Sequence, residues 1–185
     1  MGAVFDHLRN DHIAFIAAQP MFFVASAPSG PGGHVNLSPK GGDSFRVIDP
    51  TTVAYLDFTG SGAETIAHMR DNGRLTIMFN SYGPKPLILR LFGRGEVLLA
   101  GSGEFDGFEA DPPFPDAPGV RSIIRLSVER VQSSCGYGVP VMELVGQRPT
   151  MPEWAESKGP DGIVEYQAQK NQRSIDDLPA LEGLR

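Results

Sequence analysis

The chain has 185 residues, 41% of them hydrophobic, so it is long enough for one domain with a sizeable core and too short for two enzyme domains. Sixteen Lys and Arg against 22 Asp and Glu give a net charge of -6, which argues against a basic nucleic-acid surface, and one cysteine excludes an internal disulfide framework. No apolar run approaches the roughly 20 residues that span a bilayer, and MGAVFDHLRNDH lacks the pattern of a signal peptide, so we expect a soluble cytoplasmic protein.

The first half of the chain predicts one helix followed by short strands. Apolar residues at helical spacing favour a helix over about 4–18, which Pro20 ends. MFFVASA (21–27) and HVNLSPK (34–40) flank a Gly- and Pro-rich turn and predict a hairpin. SFRVID (44–49) and TVAYLDF (52–58) are the next two predicted strands.

The second half repeats this alternation of strands and turns. A helix is predicted from about Ala63 to Asn72, followed by strands at 74–80, 87–101 and 122–134. The Gly-, Pro- and acid-rich residues 102–120 predict an irregular loop. From Pro152 to about Lys170 the pattern becomes helical and highly charged, so we divide the chain into a barrel domain over 1–140 and a helical extension over 141–185, packed on the barrel or on a partner subunit.

The order of these elements favours a mainly antiparallel β-fold. The strands follow one another in hairpin order without a helix after each, which argues against a doubly wound parallel sheet. A small antiparallel barrel with attached helices fits best, since closure also protects the sheet edges.

The junction Thr59-Gly60-Ser61-Gly62, between a predicted strand and a predicted helix, is the most informative segment. Ser61 and Glu64 have the spacing of a capping box, in which the two side chains satisfy helix-end amides. Alternatively, the glycines allow a ligand close to the backbone, and the helix N-terminus attracts a phosphate. The sequence is compatible with both interpretations, helix capping and phosphate binding.

A second candidate surface lies on the strand HVNLSPK. Alternation places His34, Asn36 and Ser38 on one face of this strand, which is a ligand surface inside a barrel mouth and a solvated face outside it. Lys40 and Arg46 flank the following Gly-Gly turn, where both either bind an anion or remain solvated cations.

From about Phe5 to Val131 the chain resembles the pyridoxamine 5′-phosphate oxidase-like family of flavin-binding split barrels. The residues that carry this resemblance are FFVASA, HVNLSPKG, YLDFTGSGAET, the Asn72-Gly73-Arg74 turn into LTIMF, and LRLFGRGEV. The C-terminal SSCGYGVPVMELVGQRPTMPEWAESKG is similar to a bacterial branch of the same family.

The resemblance implies a six-stranded split barrel with flanking helices that forms a homodimer, with FMN in each of two grooves between the subunits. By position, it assigns cofactor contacts to Asn36, Leu37, Ser38 and Lys40 on one strand, and to Phe58, Thr59, Gly60 and Ser61 at the end of another. The family's Arg-Lys pair for the FMN phosphate falls on Glu64 and Thr65. We count Thr65 among the cofactor residues, and Lys40, Arg46 or a partner residue must supply the missing charge.

The resemblance therefore implies an FMN-binding oxidoreductase or flavin reductase acting on a small molecule, and not a true pyridoxamine-phosphate oxidase, because the family's C-terminal arginine motif is also missing. No metal site, nucleic acid or membrane is expected. One alternative is an F420-dependent reductase on the same fold, with a basic path for the anionic F420 tail that includes Lys85 or Arg90. The other is a non-catalytic protein that binds haem or flavin, with His34 or His68 as the haem ligand.

Overall fold

The computed structural model describes residues 2–183. Its elements in chain order are β1 (Val4–Phe5), α1 (Asn10–Ala17), β2 (Met21–Ser26), β3 (Asn36–Gly41), β4 (Phe45–Asp49), β5 (Thr52–Phe58), α2 (Glu64–Asp71), β6 (Arg74–Asn80), β7 (Ile88–Leu99), α3 (Gly103–Asp106), β8 (Val120–Ser134) and α4 (Thr150–Lys170). No helix within this range is long and apolar enough to cross a membrane.

One antiparallel sheet organises the fold. Seven strands follow the order β3-β2-β6-β7-β8-β5-β4, and β1 pairs with β8 beside this path. The residues described thus form eight strands, which are the seven predicted from local patterns and the short strand β1. The count of six implied by the resemblance is not confirmed. The mainly β, antiparallel architecture with flanking helices is confirmed.

The sheet curls until its two ends approach each other. Phe45 of β4 lies with its ring centroid 5.0 Å from that of Phe22 of β2 and 5.0 Å from that of Phe79 of β6. These rings belong to the main apolar core, which lies inside the curl. The arrangement is that of a split barrel, and it leaves β3 at one end of the sheet.

The single helix predicted over 4–18 is wrong in its first part. Val4 and Phe5 pair with Gln132 and Val131 of β8, and the helix begins only at Asn10. Pairing with an available strand satisfies the backbone of Val4 and Phe5, which the helical spacing of apolar residues alone does not reveal.

The segment after α4 returns to the barrel. Ala180 and Leu181 are buried in the main core, and Arg70 of α2 donates hydrogen bonds to the carbonyl oxygens of Ala180 and Glu182. Asn171 donates from Nδ2 to the carbonyl oxygen of Gly60 at 2.8 Å. The C-terminal segment therefore fixes α2 and the end of β5, which both border the site described next.

Candidate functional site

A cleft of about 720 Å³ lies between β3, the end of β5, the start of α2 and the segment 144–152. Six of the ten residues predicted to contact a cofactor line it: Asn36, Ser38, Lys40, Phe58, Gly60 and Thr65. On β3 the half-buried residues Asn36, Ser38 and Lys40 alternate with exposed neighbours, as expected for a strand with period 2. Three segments that are distant in sequence thus converge on one cleft.

Three other predicted residues lie outside this cleft. Leu37 is on the opposite face of β3, with 65% of its surface exposed. Thr59 is fully buried, and its Oγ1 accepts a hydrogen bond from Nε2 of Gln167 at 2.7 Å. Ser61 is exposed and does not line the cleft.

Arg46 is a buried anchor for a loop rather than a cleft residue. Its guanidinium donates to the carboxylate of Asp43 at 2.6 and 3.0 Å and to the carbonyl oxygens of Phe45, Pro112 and Pro113 at 2.8, 2.8 and 2.9 Å. These bonds engage all five donors of the side chain. No donor remains for a cofactor, so the anion contact predicted for Arg46 is not what the structure shows.

The capping box predicted for Ser61 and Glu64 does not form. The N-cap residue of α2 is Ala63, without a side-chain hydrogen bond. Glu64 instead lines the cleft, and its Oε1 accepts a hydrogen bond from the backbone N–H of Ile175 at 3.3 Å. The start of α2 therefore carries a carboxylate beside the cleft, which disfavours a phosphate at this position.

The cleft also contains a buried ion pair that the sequence patterns did not predict. Asp57 of β5 is fully buried, and its carboxylate accepts hydrogen bonds from Nε of Arg121 at 2.6 Å and from Oγ of Ser122 at 3.2 Å. Nζ of Lys40 lies 3.5 Å from the same carboxylate. The sequence did contain one signal for this pair, a single acid inside the apolar strand TVAYLDF. Because an unpaired charge is too costly to bury, an acid in a buried strand indicates a positively charged partner.

The charges around Asp57 determine its protonation. Burial alone would raise its pKa, but the positive charges of Arg121 and Lys40, together with hydrogen bonds from Arg121 and Ser122, outweigh burial and hold the pKa below its ordinary value. Asp57 is therefore ionised at neutral pH and neutralises one of the two cations.

Arg121 retains an unused donor. Its side chain is 4% exposed and lines the cleft, and Nη1 has no hydrogen-bond partner among the described residues. A buried, unsatisfied donor costs about 1–3 kcal/mol, and more when it is charged. A ligand oxygen would recover this energy once Nη1, which is buried in this structure, became accessible from the cleft.

A hydrogen-bonded chain leads from the cleft into the core. Asn36 donates from Nδ2 to Thr65 Oγ1 at 3.0 Å and to Ser26 Oγ at 3.1 Å, and it accepts at Oδ1 from Ser38 Oγ at 2.8 Å. Ser26 Oγ lies 2.9 Å from Nδ1 of His68, which is fully buried. The polar face of β3 is therefore held by residues beneath it.

Apolar side chains complete the lining of the cleft. They come from four parts of the chain and are Met21, Leu56, Phe58, Leu144 and Met151. Apolar walls with a few convergent polar groups are typical of sites for small organic ligands. Within residues 2–183, no group of three or more His, Cys, Asp or Glu is arranged to hold a metal ion.

Comparisons of the sequence with known proteins identify one family. A sequence model described as pyridoxamine 5′-phosphate oxidase matches residues 8–135. The pyridoxamine 5′-phosphate oxidase family protein ustO of Aspergillus flavus is 43% identical over 193 residues, covering 96% of this chain and 76% of that protein.

Two solved structures have a similar fold. HupZ from Group A Streptococcus superimposes with a TM-score of 0.51 at 24% identity, covering 67% of this chain and 91% of that one. A Lactobacillus delbrueckii protein, provisionally described as a pyridoxamine 5′-phosphate oxidase, gives a TM-score of 0.51 at 17% identity, covering 69% and 94%. At these identities the similarity establishes the fold.

Proposed function

Because the chain belongs to the pyridoxamine 5′-phosphate oxidase family, we propose that it is a homodimeric, FMN-binding oxidoreductase that acts on a small molecule. The observation that carries this proposal is the cleft, where six predicted contact residues meet a buried arginine with an unused donor. Pyridoxamine phosphate is not the proposed substrate, since the sequence lacks the C-terminal arginine motif with which the family binds that substrate.

The residues of the cleft fit the ring of a flavin. The apolar side chains Met21, Leu56 and Phe58 offer a surface for the flat ring, and Arg121 and Lys40 supply donors for its carbonyl oxygens. Asn36, Ser38 and Thr65 supply polar contacts along β3. When bound, the flavin would supply hydride transfer at its ring, while the protein contributes binding, orientation and electrostatics.

The ion pair adds a net positive charge beside the ring. Lys40 and Arg121 carry two positive charges against the one negative charge of Asp57. Positive charge stabilises a flavin that gains electrons, so we assign this role to the cluster.

Charge balance favours FMN over F420. The cations that line the cleft are Lys40, Arg121 and Arg148, and the acids that line it are Asp43, Asp57 and Glu64. Three of each leave no excess of positive charge, which counts more heavily against the several anionic groups of an F420 tail than against the single phosphate of FMN. Lys85 and Arg90, considered for that tail, do not line the cleft.

The histidines argue against haem in this cleft. His68 is fully buried and bonded to Ser26, and Nδ1 of His34 lies 2.6 Å from the carboxylate of Asp176. Within residues 2–183, no histidine lines the cleft to offer an axial ligand.

A second copy of the chain is the proposed partner for the outer face of β3. Leu37 on this face is 65% exposed, and Val35, directly before β3, is 73% exposed. Val145, on the segment that borders the cleft, is fully exposed. Exposed apolar residues at an edge strand are typical of protein interfaces. A dimer through this face would bury these apolar side chains.

We expect Leu37→Glu to convert a dimer at micromolar concentration into a monomer, because a buried unpaired charge opposes association. Sedimentation equilibrium measures this, and Val164→Glu, an exposed apolar position on α4, serves as the matched control that stays dimeric. A wild-type protein that sediments as a monomer would contradict the dimer.

The cofactor is tested on protein purified from its native host or from an F420-producing one. An absorbance spectrum is followed by heat release and mass analysis of the chromophore. Released FMN, or tight binding of added FMN by colourless protein, is the expected result. Released F420 or haem would show that the cofactor is not FMN. Protein that binds none of the three would overturn the proposal.

A further inference from the structure

Three hydrogen bonds join the cleft to His68: two of them run inward, and the direction of the third depends on the tautomer of His68. Ser38 donates to Asn36 Oδ1, and Asn36 donates through Nδ2 to Ser26 Oγ. The proton of the Ser26 hydroxyl then needs an acceptor, and the neighbour within reach is Nδ1 of His68 at 2.9 Å. The chain of donors therefore starts at the cleft and ends on the buried imidazole.

The opposite direction requires several changes at once. If Nδ1 of His68 carried a proton, it would donate to Ser26. The Ser26 oxygen can accept from both His68 and Asn36, but its own proton would then have no acceptor among the described residues unless it turned toward Asn36. The Asn36 amide would then have to flip and donate to Ser38. The tautomer of His68 thus determines whether Ser38, three hydrogen bonds away in the cleft, donates to Asn36 or accepts from it.

The surroundings of His68 favour the neutral imidazole. Burial lowers its pKa, and this effect outweighs the nearby negative charges of Asp176, Glu64 and Asp71, which would raise it. A neutral ring with Nδ1 as acceptor carries its proton on Nε2, which has no partner among the described residues. The unsatisfied Nε2–H is the cost of keeping Nδ1 free to accept.

We propose that His68 is a positioning residue for the cleft: by accepting the Ser26 proton it fixes the amide of Asn36 and leaves the Ser38 oxygen as a hydrogen-bond acceptor for the ligand. The group recognised at Ser38 is then an N–H or O–H donor. A flavin offers such donors on its ring and on its ribityl chain. This inference rests on the proposed function, since it concerns the same cleft.

Flavin binding tests the coupling through a double-mutant cycle. We expect His68→Leu to weaken FMN binding about 5- to 10-fold, which corresponds to one hydrogen bond. His68→Asn, which keeps an acceptor near the Nδ1 position, should restore most of the affinity. In a Ser38→Ala background the effect of His68→Leu should largely vanish, because the acceptor that it orients is gone.

A purely structural role predicts a different pattern. If His68→Leu weakens binding equally with and without Ser38, or leaves it unchanged, the inference is wrong. The matched control is His12→Leu, because His12 is also buried and also accepts at Nδ1, here from the backbone of Arg9 at 3.2 Å. This control should leave FMN affinity unchanged. Repeating the titrations with lumiflavin, which lacks the ribityl chain, locates the donor that binds Ser38. If the donor is on the ring, the coupling between His68→Leu and Ser38→Ala persists with lumiflavin.

The tautomer can be observed without any ligand. Nitrogen-15 spectra of the wild-type protein, with His68 assigned through His68→Asn, should show Nδ1 without a proton and Nε2 with one. A proton on Nδ1 would overturn the inference even if FMN binds. Failure of the wild-type protein to bind FMN would count against the proposed function, while the spectra would still decide the direction of the hydrogen bonds.

Discussion

Replacing Asp57 with alanine is expected to lower the free energy of unfolding by about 3–5 kcal/mol, the cost of leaving a buried charge without its partner. Arg121 is 4% exposed, and the Asp57 carboxylate, 2.6 Å from its Nε, is its one acidic partner among the described residues. Chemical denaturation measures the change. Glu96→Ala is the matched control, because the Glu96–Arg125 pair also joins carboxylate and guanidinium at 2.6 Å, but at the surface, where such pairs contribute about 0–1 kcal/mol.

The same residue gives the wild-type protein a specific sensitivity to acid. The pKa of Asp57 is lower in the folded protein than in the unfolded chain, so its contribution to stability is present above the unfolded value, about 4. That contribution is lost as the pH falls through the folded value. Asp57→Asn should be less stable at neutral pH and should lose less stability below about pH 4 than the wild type.

Equal stabilities for Asp57→Ala and Glu96→Ala would show that the pair is not buried as described.

Replacing Lys40 with glutamine is expected to weaken FMN binding about 10- to 100-fold, in line with the loss of a charge-assisted hydrogen bond. Lys40 is half-buried in the cleft, and its Nζ is 3.5 Å from Asp57, whereas the Arg121 Nε is 2.6 Å from the same carboxylate. Asp57 is therefore neutralised mainly by Arg121, and the charge of Lys40 remains available to a ligand. Fluorescence quenching of FMN titrated with protein measures the affinity.

The control for this experiment is Lys85→Gln. Lys85 is exposed in the turn before β7 and does not line the cleft, so the same loss of charge there should change FMN affinity by less than about twofold. An equal effect of both substitutions would mean that Lys40 acts only through the overall charge of the protein.

Local patterns were sufficient to predict much of the fold. β5 and β6 were predicted at 52–58 and 74–80 and are observed over the same residues, because apolar strand formers are bounded there by Pro, Gly and Asn. Alternation along β3 likewise placed Asn36 and Ser38 on one face, which proved to face the cleft. Both features depend only on residues close together in the chain.

Features that join distant residues escaped prediction. Arg46 was considered as a cofactor ligand because Gly-Gly turns and cations suggest an anion site, but Pro112 and Pro113, far along the chain, accept its hydrogen bonds. The partner of Asp57 is 64 positions away. Such pairs are set by strand pairing, here the register between β5 and β8, and no spacing rule in one sequence indicates it.

The most direct test of the central claim is a crystal structure of the protein with FMN. We expect a flavin in the cleft along β3, with a ligand oxygen within hydrogen-bond distance of Arg121 Nη1 or Lys40 Nζ, and a second copy of the chain over the outer face of β3. Flavin bound elsewhere, such as on the apolar surface around Phe105, Phe108 and Phe114, with the cleft filled only by water, would contradict the proposed function.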